Sequence, residues 1–238
     1  MRVSTGLIFS VGVATLHTSA LASSRKDDVF VRKVAYDYAL CVVKAKHKRA
    51  AEAIIANADN RTITKDYSDL IIGECLIRAS GGGQLQFGGD QYRYTLANAL
   101  VAIEFSAKGE PDFSNRLPLA HFRTPDKAAL EMALGGTKSK RRRKELQEGF
   151  DKASTISALS QYGECIARSD PVRARLWLLT PPDGPEEISR INDLRPSFAQ
   201  CLSGGTAKFS RSTMRGIVAI NYFRLAHASA QTTAEGAH

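Results

Sequence analysis

The sequence lacks the short motifs that identify most enzymes and metal-binding proteins. Its 238 residues contain no G-x-S-x-G segment, no C-x-x-C pair, no H-x-x-x-H spacing and no G-K-[ST] sequence after a glycine run. The histidines beyond the N-terminal segment are scattered, and we interpret each as an ordinary surface or core residue: His47, His121, His227 and His238. The sequence therefore predicts no cofactor, no metal site and no catalytic residue, although active sites can also assemble across a fold.

Long hydrophobic runs are also missing. The clearest apolar run, Leu7 to Leu16, has ten residues, about half of the roughly 20 that a helix needs to cross a bilayer. It follows a positive start at Met1-Arg2 and precedes Ala20-Leu21-Ala22, which has small residues at both recognition positions of a signal peptidase. We therefore predict a signal peptide over residues 1–22, an exported mature chain and no transmembrane span.

Cysteine is scarce, and its even count favours disulfides. The four cysteines, Cys41, Cys75, Cys165 and Cys201, all lie beyond the predicted signal peptide, and in an exported chain they are expected to pair. Four cysteines allow three connectivities, which sequence alone does not distinguish. An internal duplication makes Cys41–Cys75 and Cys165–Cys201 the simplest pairing, since the two separations are 34 and 36 residues. Closing each loop would contribute roughly 3–4 kcal/mol.

The duplication relates the stretch that begins at Tyr162 to a fainter copy nearer the N-terminus. The register that superposes the first cysteine of each copy also superposes Tyr38 with Tyr162. After small gaps, past the glycines, it aligns Phe87 with Phe209 and Arg93 with Arg215. A competing register matches residues 73–78 with 163–168, but it covers only six residues. It would also place a glycine stop opposite a helix start, so we prefer the longer register.

Apolar residues that recur every three to four positions predict helices throughout the mature chain. The first runs over Val34–Ile55, Asp170-Pro171 starts another with a capping carboxylate and an N1 proline, and the last ends near Leu225. The predicted fold is all-α, with two pseudo-repeated units of three to four helices, each containing one disulfide. The predicted organisation is a signal peptide over 1–22, unit 1 over 23–105, a connector over 106–154, unit 2 over 155–228, and a disordered tail over 229–238.

Charge is the main remaining signal, because Lys and Arg exceed Asp and Glu by 33 to 24. About half of the excess lies in the connector, mostly in one cluster of candidate anion-binding residues: Lys138, Lys140, Arg141, Arg142, Arg143 and Lys144. In an exported protein such a cluster indicates an anionic envelope surface or an acidic protein partner. Nucleic acid is an unlikely partner, since no RNA-binding motif accompanies the charge. The alternative interpretation is a solvated linker helix.

Two arginines at superposed positions, Arg93 and Arg215, allow two interpretations. They could form a pair of equivalent anion-binding sites. They could instead lay their stems over the core and bond carbonyls of the preceding loop, which we favour.

The Tyr-x-x-Cys start, the glycine pair after the second cysteine and the Met-Arg-Gly end resemble uncharacterised exported proteins of sphingomonad-type proteobacteria. The resemblance covers most of unit 2 and less of unit 1, and it implies a periplasmic or secreted bacterial protein without implying an activity. We expect a binding or structural envelope protein. The alternative is an exported, hydrolase-like enzyme with its site between the two units.

Overall fold

The computed structural model describes residues 18–83, 86–88, 90–107, 109, 111–202 and 210–229, with side chains from residue 29 onward. Within these ranges the chain forms ten α-helices and one short 3-10 helix, and no strand. The all-α prediction is therefore confirmed. Most of the predicted signal peptide (residues 1–17) and of the predicted tail (residues 230–238) lies outside the described residues.

The helices follow one another with short connections, apart from the long segment between the fourth and fifth. They are α1 (Thr18–Ile55), α2 (Asn60–Asp66), the 3-10 helix (Ser68–Leu70), α3 (Gly73–Ser80), α4 (Gln91–Glu104), α5 (Lys127–Gly135), α6 (Lys140–Ser169), α7 (Pro171–Leu179), α8 (Glu187–Asp193), α9 (Arg195–Cys201) and α10 (Arg211–His227). The first helix begins at Thr18, well before the predicted Val34, and leaves helical geometry at Lys46 (φ −136°, ψ 42°).

Both predicted disulfides are present. Cys41 of α1 bonds Cys75 of α3, and Cys165 of α6 bonds Cys201 of α9, with Cα–Cα distances of 5.5 and 5.8 Å. Each bond joins a long helix to a short helix that precedes another long helix. The short helices are thereby held against the core by a covalent link as well as by packing.

A tyrosine close to each disulfide makes a matching contact. The hydroxyl of Tyr38 accepts a hydrogen bond from the backbone N–H of Ile72 at 3.2 Å. The hydroxyl of Tyr162 donates to the backbone carbonyl of Phe198 at 3.1 Å. In both cases the backbone partner lies three residues before the second cysteine of the disulfide. The two halves thus share a local feature, while the internal repeat itself stays a prediction.

Four long helices form the centre of the molecule in the order α1, α4, α10, α6. Each packs on the next, and α7 closes against both α4 and α10. The sequence predicts one apolar stripe on α10, but every residue from Arg215 to Leu225 is buried. The helix α10 is buried on all sides because α1, α4, α6 and α7 pack around it.

Two glycines allow the central helices to approach closely. A Cβ on Gly163 of α6 would lie 2.6 Å from the carbonyl oxygen of Ile217 on α10. A Cβ on Gly216 of α10 would lie 2.2 Å from Cβ and Cγ of Tyr94 on α4. These distances are too short for any larger residue, so both glycines are needed for close packing of backbone against its neighbour.

A helical hairpin extends the molecule on one side, and we call it the basic arm. It consists of α5 and the first half of α6, residues 127–155. The helix α5 packs against α6 and has no buried residue. The helix α6 continues without a break past residue 154, so the predicted connector and unit 2 share one helix.

Candidate functional site

A cleft with a volume of about 480 Å³ opens where α1, α4, α8 and α10 meet. Its lining combines arginines with tyrosines and short polar side chains, chiefly Arg32 and Tyr36 from α1, Tyr94 and Asn98 from α4, and Arg211 and Arg215 from α10. Because α1 and α4 belong to predicted unit 1 and α10 to predicted unit 2, the cleft lies between the two units.

The first turn of α10 faces this cleft. Ser210 caps the helix, since its side-chain oxygen accepts from the N–H of Thr213 at 3.1 Å. Its carbonyl accepts from the N–H of Met214 at 3.0 Å. The N–H groups of Arg211 and Ser212, which also line the cleft, have no acceptor within the helix at these first positions.

Arg215 lies at the back of the cleft and is held on every side. Nη1 donates to Glu187 at 3.0 Å, and Nη2 donates to the carbonyl of Leu178 at 2.9 Å. The guanidinium also donates to the carbonyl of Thr180 and to the side chain of Asn98. These contacts join the ends of α7 and α8 to α4, so the carbonyls that Arg215 bonds belong to the end of α7 and not to the loop that precedes α10.

Charged groups in front of Arg215 form a continuous chain from α10 to α1. Arg211 lies 3.4 Å from Glu187 and 3.2 Å from Asp183, and Asp183 also pairs with Arg32. Among the described side chains, three arginines therefore share two carboxylates, which leaves one positive charge in excess. The two carboxylates are buried, whereas Arg211 at the mouth of the cleft is 36% exposed.

Burial changes the proton affinity of the groups that line the cleft. It raises the pKa of Tyr36, and it raises the pKa of Tyr94 to about 12. Burial lowers the pKa of Arg215, although the charge of Glu187 opposes this effect. At neutral pH both tyrosines are therefore neutral, and the cleft offers hydrogen-bond donors rather than a basic phenolate.

Arg93, which the predicted register aligns with Arg215, lies in a filled site. Its guanidinium donates to the side chain of Asn57 and lies 5.0 Å from the centre of the Phe122 ring. The space around it, bordered also by Leu159 and Ile217, is only about 10 Å³. Burial lowers the pKa of Arg93. Phe122 belongs to the connector, so the connector fills this site.

The connector is fastened to α6 by a cluster of polar side chains around Glu164. His121 lies 2.7 Å from the hydroxyl of Ser160 through Nδ1 and 2.5 Å from Glu164 through Nε2. Arg168 donates to Glu164 at 2.7 Å and also to the carbonyls of Phe113 and Leu117. Burial raises the pKa of Glu164, but the hydrogen bonds from His121 and Arg168 outweigh it, so the pKa is lowered.

Ser160, His121 and Glu164 have the residue types of a hydrolytic triad, but their placement favours a structural role. Ser160 is only 7% exposed and lies in the middle of α6. Its backbone carbonyl accepts from Asn221 of α10, and its hydroxyl is directed at the connector. A nucleophile needs an approach path and oxyanion donors, whereas this serine lies beneath the histidine that it contacts.

A second histidine cluster joins three of the central helices. Glu104 at the end of α4 lies 3.0 Å from Nε2 of His47 and 2.9 Å from Nε2 of His227. Across the described part of the chain, no group of three or more His, Cys, Asp or Glu residues is placed to hold a metal ion. The cluster instead pairs a partly buried carboxylate with two polar rings at the surface.

Comparison with known proteins supplies no relative from which to infer a function. No protein-family model matches the chain, and no curated protein or solved structure is significantly similar to it. Within the described ranges, no helix is both long enough and apolar enough to span a membrane. The function must be inferred from the geometry of the arm and the cleft.

The basic cluster predicted from the sequence lies on the basic arm, far along the chain from the cleft. Lys138 to Lys144 form the approach to α6 and its first turns, and all six basic residues are exposed. Arg141 and Arg142 pair with Glu145, and Lys144 pairs with Glu148. Such exposed pairs are weak and break easily, so the positive charges stay accessible.

Sequence reasoning singled out Arg215 but missed the groups around it. Neither Arg32 nor Glu187 was among the candidate residues predicted from the sequence. One signal was available: Arg211 and Arg215 lie in the first turns of α10, where the helix dipole disfavours positive charge. That placement requires nearby carboxylates, which Asp183 and Glu187 provide.

Proposed function

We propose that the protein is an exported, disulfide-stabilised helical protein that attaches to an anionic lipid surface through its basic arm. The observation that carries this proposal is the arm itself. It extends from the packed body, its short helix α5 has no buried residue, and the basic cluster lies at its tip. Helices in this position normally bury one apolar face, so an unburied one suits a partner surface.

The charge of the arm favours an anionic partner. Residues 127–155 contain eight Lys and Arg against four Asp and Glu. The side chain of Arg141 is 91% exposed, so its charge can meet a surface without any change in the fold. A basic residue near an anionic membrane contributes about 1 kcal/mol, which makes a cluster of six sufficient for measurable binding.

The apolar residues of the arm favour a lipid surface over an acidic protein. Met132 is 73% exposed, although it lies on a helix that is rich in alanine and leucine. Apolar side chains beside basic ones are typical of segments that lie in the headgroup region of a bilayer. An acidic protein would satisfy the charges but would leave these side chains in water.

Export is supported by two independent features. The first is the signal-peptide pattern over residues 1–22, and the second is the presence of two disulfides, which persist in oxidising compartments. The chain isolated from its native host is expected to begin at Ser23. N-terminal sequencing tests this directly, and an uncleaved Met1 on the purified protein would contradict export by this route.

Surface attachment is tested by co-sedimentation with vesicles of phosphatidylcholine that contain 30% phosphatidylglycerol. Replacement of the six basic residues of the cluster by Gln should weaken binding at least tenfold, because their summed attraction to the surface is lost. Binding of the unaltered protein should fall steeply between 50 and 300 mM salt.

A matched control changes the same net charge elsewhere. Six exposed basic residues of the body are replaced by Gln: Lys33, Lys44, Lys48, Arg61, Lys65 and Arg78. This variant should keep most of the binding. Equal losses in both variants would show that overall charge, not the arm, attracts the vesicles. Competition by soluble polyglutamate at the same charge concentration as the lipid would favour an acidic protein and overturn the lipid assignment.

The alternative, an exported hydrolase with its site between the units, has one favourable observation: a cleft lies at that position. However, burial raises the pKa of Tyr36 and Tyr94 and so keeps them protonated, whereas a general base must titrate near neutral pH. Turnover of p-nitrophenyl esters that disappears in Tyr36→Phe would favour the enzyme. Absence of turnover in the unaltered protein is the expected result.

A further inference from the structure

We propose that the cleft between α1, α4 and α10 binds a small amphipathic anion, with a flat apolar body and one carboxylate, sulfonate or phosphate group. This site is separate from the basic arm and does not depend on surface attachment. Its volume of about 480 Å³ falls within the roughly 300–1,000 Å³ that is usual for small-molecule pockets. The ligand is therefore the size of a fused-ring or phenyl-containing acid.

The anionic group of the ligand is assigned to the mouth of the cleft beside Arg211. This side chain is 36% exposed, and its two carboxylate partners are already shared with Arg32 and Arg215. One positive charge of the cluster is therefore available to an incoming anion. The N–H groups of Arg211 and Ser212, which have no acceptor within the helix, belong to residues that line the same cleft and add donors of the same sign.

The apolar body of the ligand is assigned to the space between α1 and α4. Tyr36, Phe87 and Tyr94 supply aromatic surface, and Val31 and Ala35 add aliphatic surface along α1. Flat apolar groups pack well between aromatic rings, where they bury area and gain from offset or edge contacts. An aliphatic chain would fill the same space with fewer specific contacts.

The filled site around Arg93 shows that an aromatic ring can pack beside a buried arginine in this fold. Under the register that aligns Cys41 with Cys165, the positions of Ala35 and Tyr36 in the open cleft correspond to Leu159 and Ser160 in the filled one. There the ring of Phe122 lies over the arginine. Arg215 has the ring of Trp177 5.9 Å from its guanidinium and the open cleft beside it, so the cleft side is where the ring of a ligand would lie.

The probe for this proposal is 8-anilinonaphthalene-1-sulfonate, whose fluorescence rises on entering an apolar site. Titration should show one saturable site per chain. The neutral analogue N-phenyl-1-naphthylamine has the same rings without the sulfonate, so it should bind at least tenfold more weakly. Equal affinity for the two probes would overturn the requirement for an anion.

Two variants locate the probe in the cleft. Arg211→Gln removes the exposed positive charge and should weaken binding at least tenfold. Ser212→Glu places a carboxylate at the mouth and should weaken it similarly. Glutamate is favourable in the first turn of a helix, so the thermal midpoint of Ser212→Glu should stay the same or rise. A loss of probe binding in this variant therefore cannot be attributed to unfolding.

Controls separate charge from shape and the cleft from the arm. Ser212→Gln has the size of glutamate without its charge and should weaken probe binding much less than Ser212→Glu does, so the difference between the two variants measures the effect of charge. The variant in which the six basic residues of the arm are replaced should also bind normally. If Arg211→Gln and Ser212→Glu keep full affinity, or if the arm variant loses it, the probe binds elsewhere and the assignment is wrong.

Discussion

Arg215 and Arg93 occupy positions that the predicted repeat aligns, and they differ in what surrounds the guanidinium. Arg215 pairs with the buried carboxylate of Glu187 and faces an open cleft. The described partners of Arg93 are the neutral side chain of Asn57 and the ring of Phe122, which leaves almost no empty space. One arginine is thus balanced by charge and the other is covered by the connector.

The difference between the two sites lies in which side of the molecule the connector covers. The connector runs along α6 and is fastened there by Arg168 and by His121, so it can cover only the side of the molecule on which α6 lies. The opposite side, between α1 and the start of α10, receives no such segment among the described residues. We therefore expect ligand binding on the open side and stabilisation on the covered side.

The largest expected effect is a difference in stability between variants that lack Arg215 and variants that lack Arg93. Arg215→Ala should lower the free energy of unfolding by about 3–5 kcal/mol, because it leaves the carboxylate of Glu187 buried without its closest partner. Arg93→Ala should cost only about 1–2 kcal/mol, because its guanidinium donates to the neutral side chain of Asn57 and the carboxylates of Asp90 and Asp59 act on it only through longer-range charge. Urea denaturation followed by circular dichroism measures both values.

A double variant identifies the cause. If the uncompensated charge is responsible, Arg215→Ala combined with Glu187→Gln should be more stable than Arg215→Ala alone. Equal stability losses for Arg215→Ala and Arg93→Ala would remove the distinction between a charge-balanced and a covered arginine.

The second prediction concerns the glycines beside each site. Gly163→Ala and Gly216→Ala should each cost about 1–3 kcal/mol, since the added methyl group overlaps a neighbouring helix. Gly216→Ala should also push Tyr94 into the cleft and weaken binding of the naphthalene sulfonate probe. Gly149→Ala, in an exposed part of α6 with no atom within 4 Å, is the matched control.

That control should gain up to about 1 kcal/mol, because alanine favours the helix over glycine. Differential scanning calorimetry ranks the three variants. If Gly163→Ala is as stable as Gly149→Ala, then α6 and α10 do not approach as closely as the structure indicates.

The features predicted correctly from the sequence are those that depend on residues close together in the chain or on a repeated spacing. The two similar separations, 34 and 36 residues, made the pairing of Cys41 with Cys75 and of Cys165 with Cys201 the simplest of three possibilities, and the structure confirms it. The start of α7 follows from Asp170 and Pro171, and the structure shows Asp170 accepting from the N–H of Arg173 at 2.9 Å. A helix cap depends on residues only a few positions apart, so it can be read from the sequence.

The cleft could not be predicted because it depends on contacts between distant segments. Arg32 meets Asp183 across 151 positions of the chain, and Asn98 meets Arg215 across 117. The burial of α10 on all sides has the same origin, since its sequence contains polar residues on more than one face. The partners of these polar residues come from other parts of the fold: Asn98 and Glu187 for Arg215, Ser160 of α6 for Asn221, and Ala120 of the connector for Arg224.

The third prediction converts the covered site into an open one. Phe122→Ala should cost about 2 kcal/mol, less than for a fully buried phenylalanine, because the ring is only half-buried. It should also create a second, weaker binding site for the naphthalene sulfonate probe beside Arg93. Fluorescence titration combined with equilibrium dialysis gives the number of sites.

Phe122→Leu is the control, since it keeps most of the apolar volume and should bind only one probe molecule. A single site in Phe122→Ala would mean that the connector collapses into the space. The site around Arg93 and the cleft beside Arg215 would then differ in more than the presence of the Phe122 ring.

The smallest expected effect is a dependence on pH at the attachment of the connector. The pKa of Glu164 is lowered in the folded chain, because hydrogen bonds from His121 and Arg168 outweigh the effect of burial. Its contribution to stability is therefore complete above its ordinary pKa of 4.5 and is lost as the pH falls through the lower folded value. We therefore expect a small loss of stability as the pH falls below 4.5 toward the lower folded pKa.

The comparison that measures this loss is the stability of the unaltered chain minus that of Glu164→Gln, which cannot titrate at this position. The difference should be constant above pH 5 and should shrink below pH 4, whereas Glu145→Gln on the exposed part of α6 should show little change. A difference that grows toward low pH would mean that the folded state raises the pKa of Glu164. In that case burial outweighs the hydrogen bonds to Glu164. The bond from His121 would then be too weak to fasten the connector to α6, and the position of Phe122 over Arg93 would need another explanation.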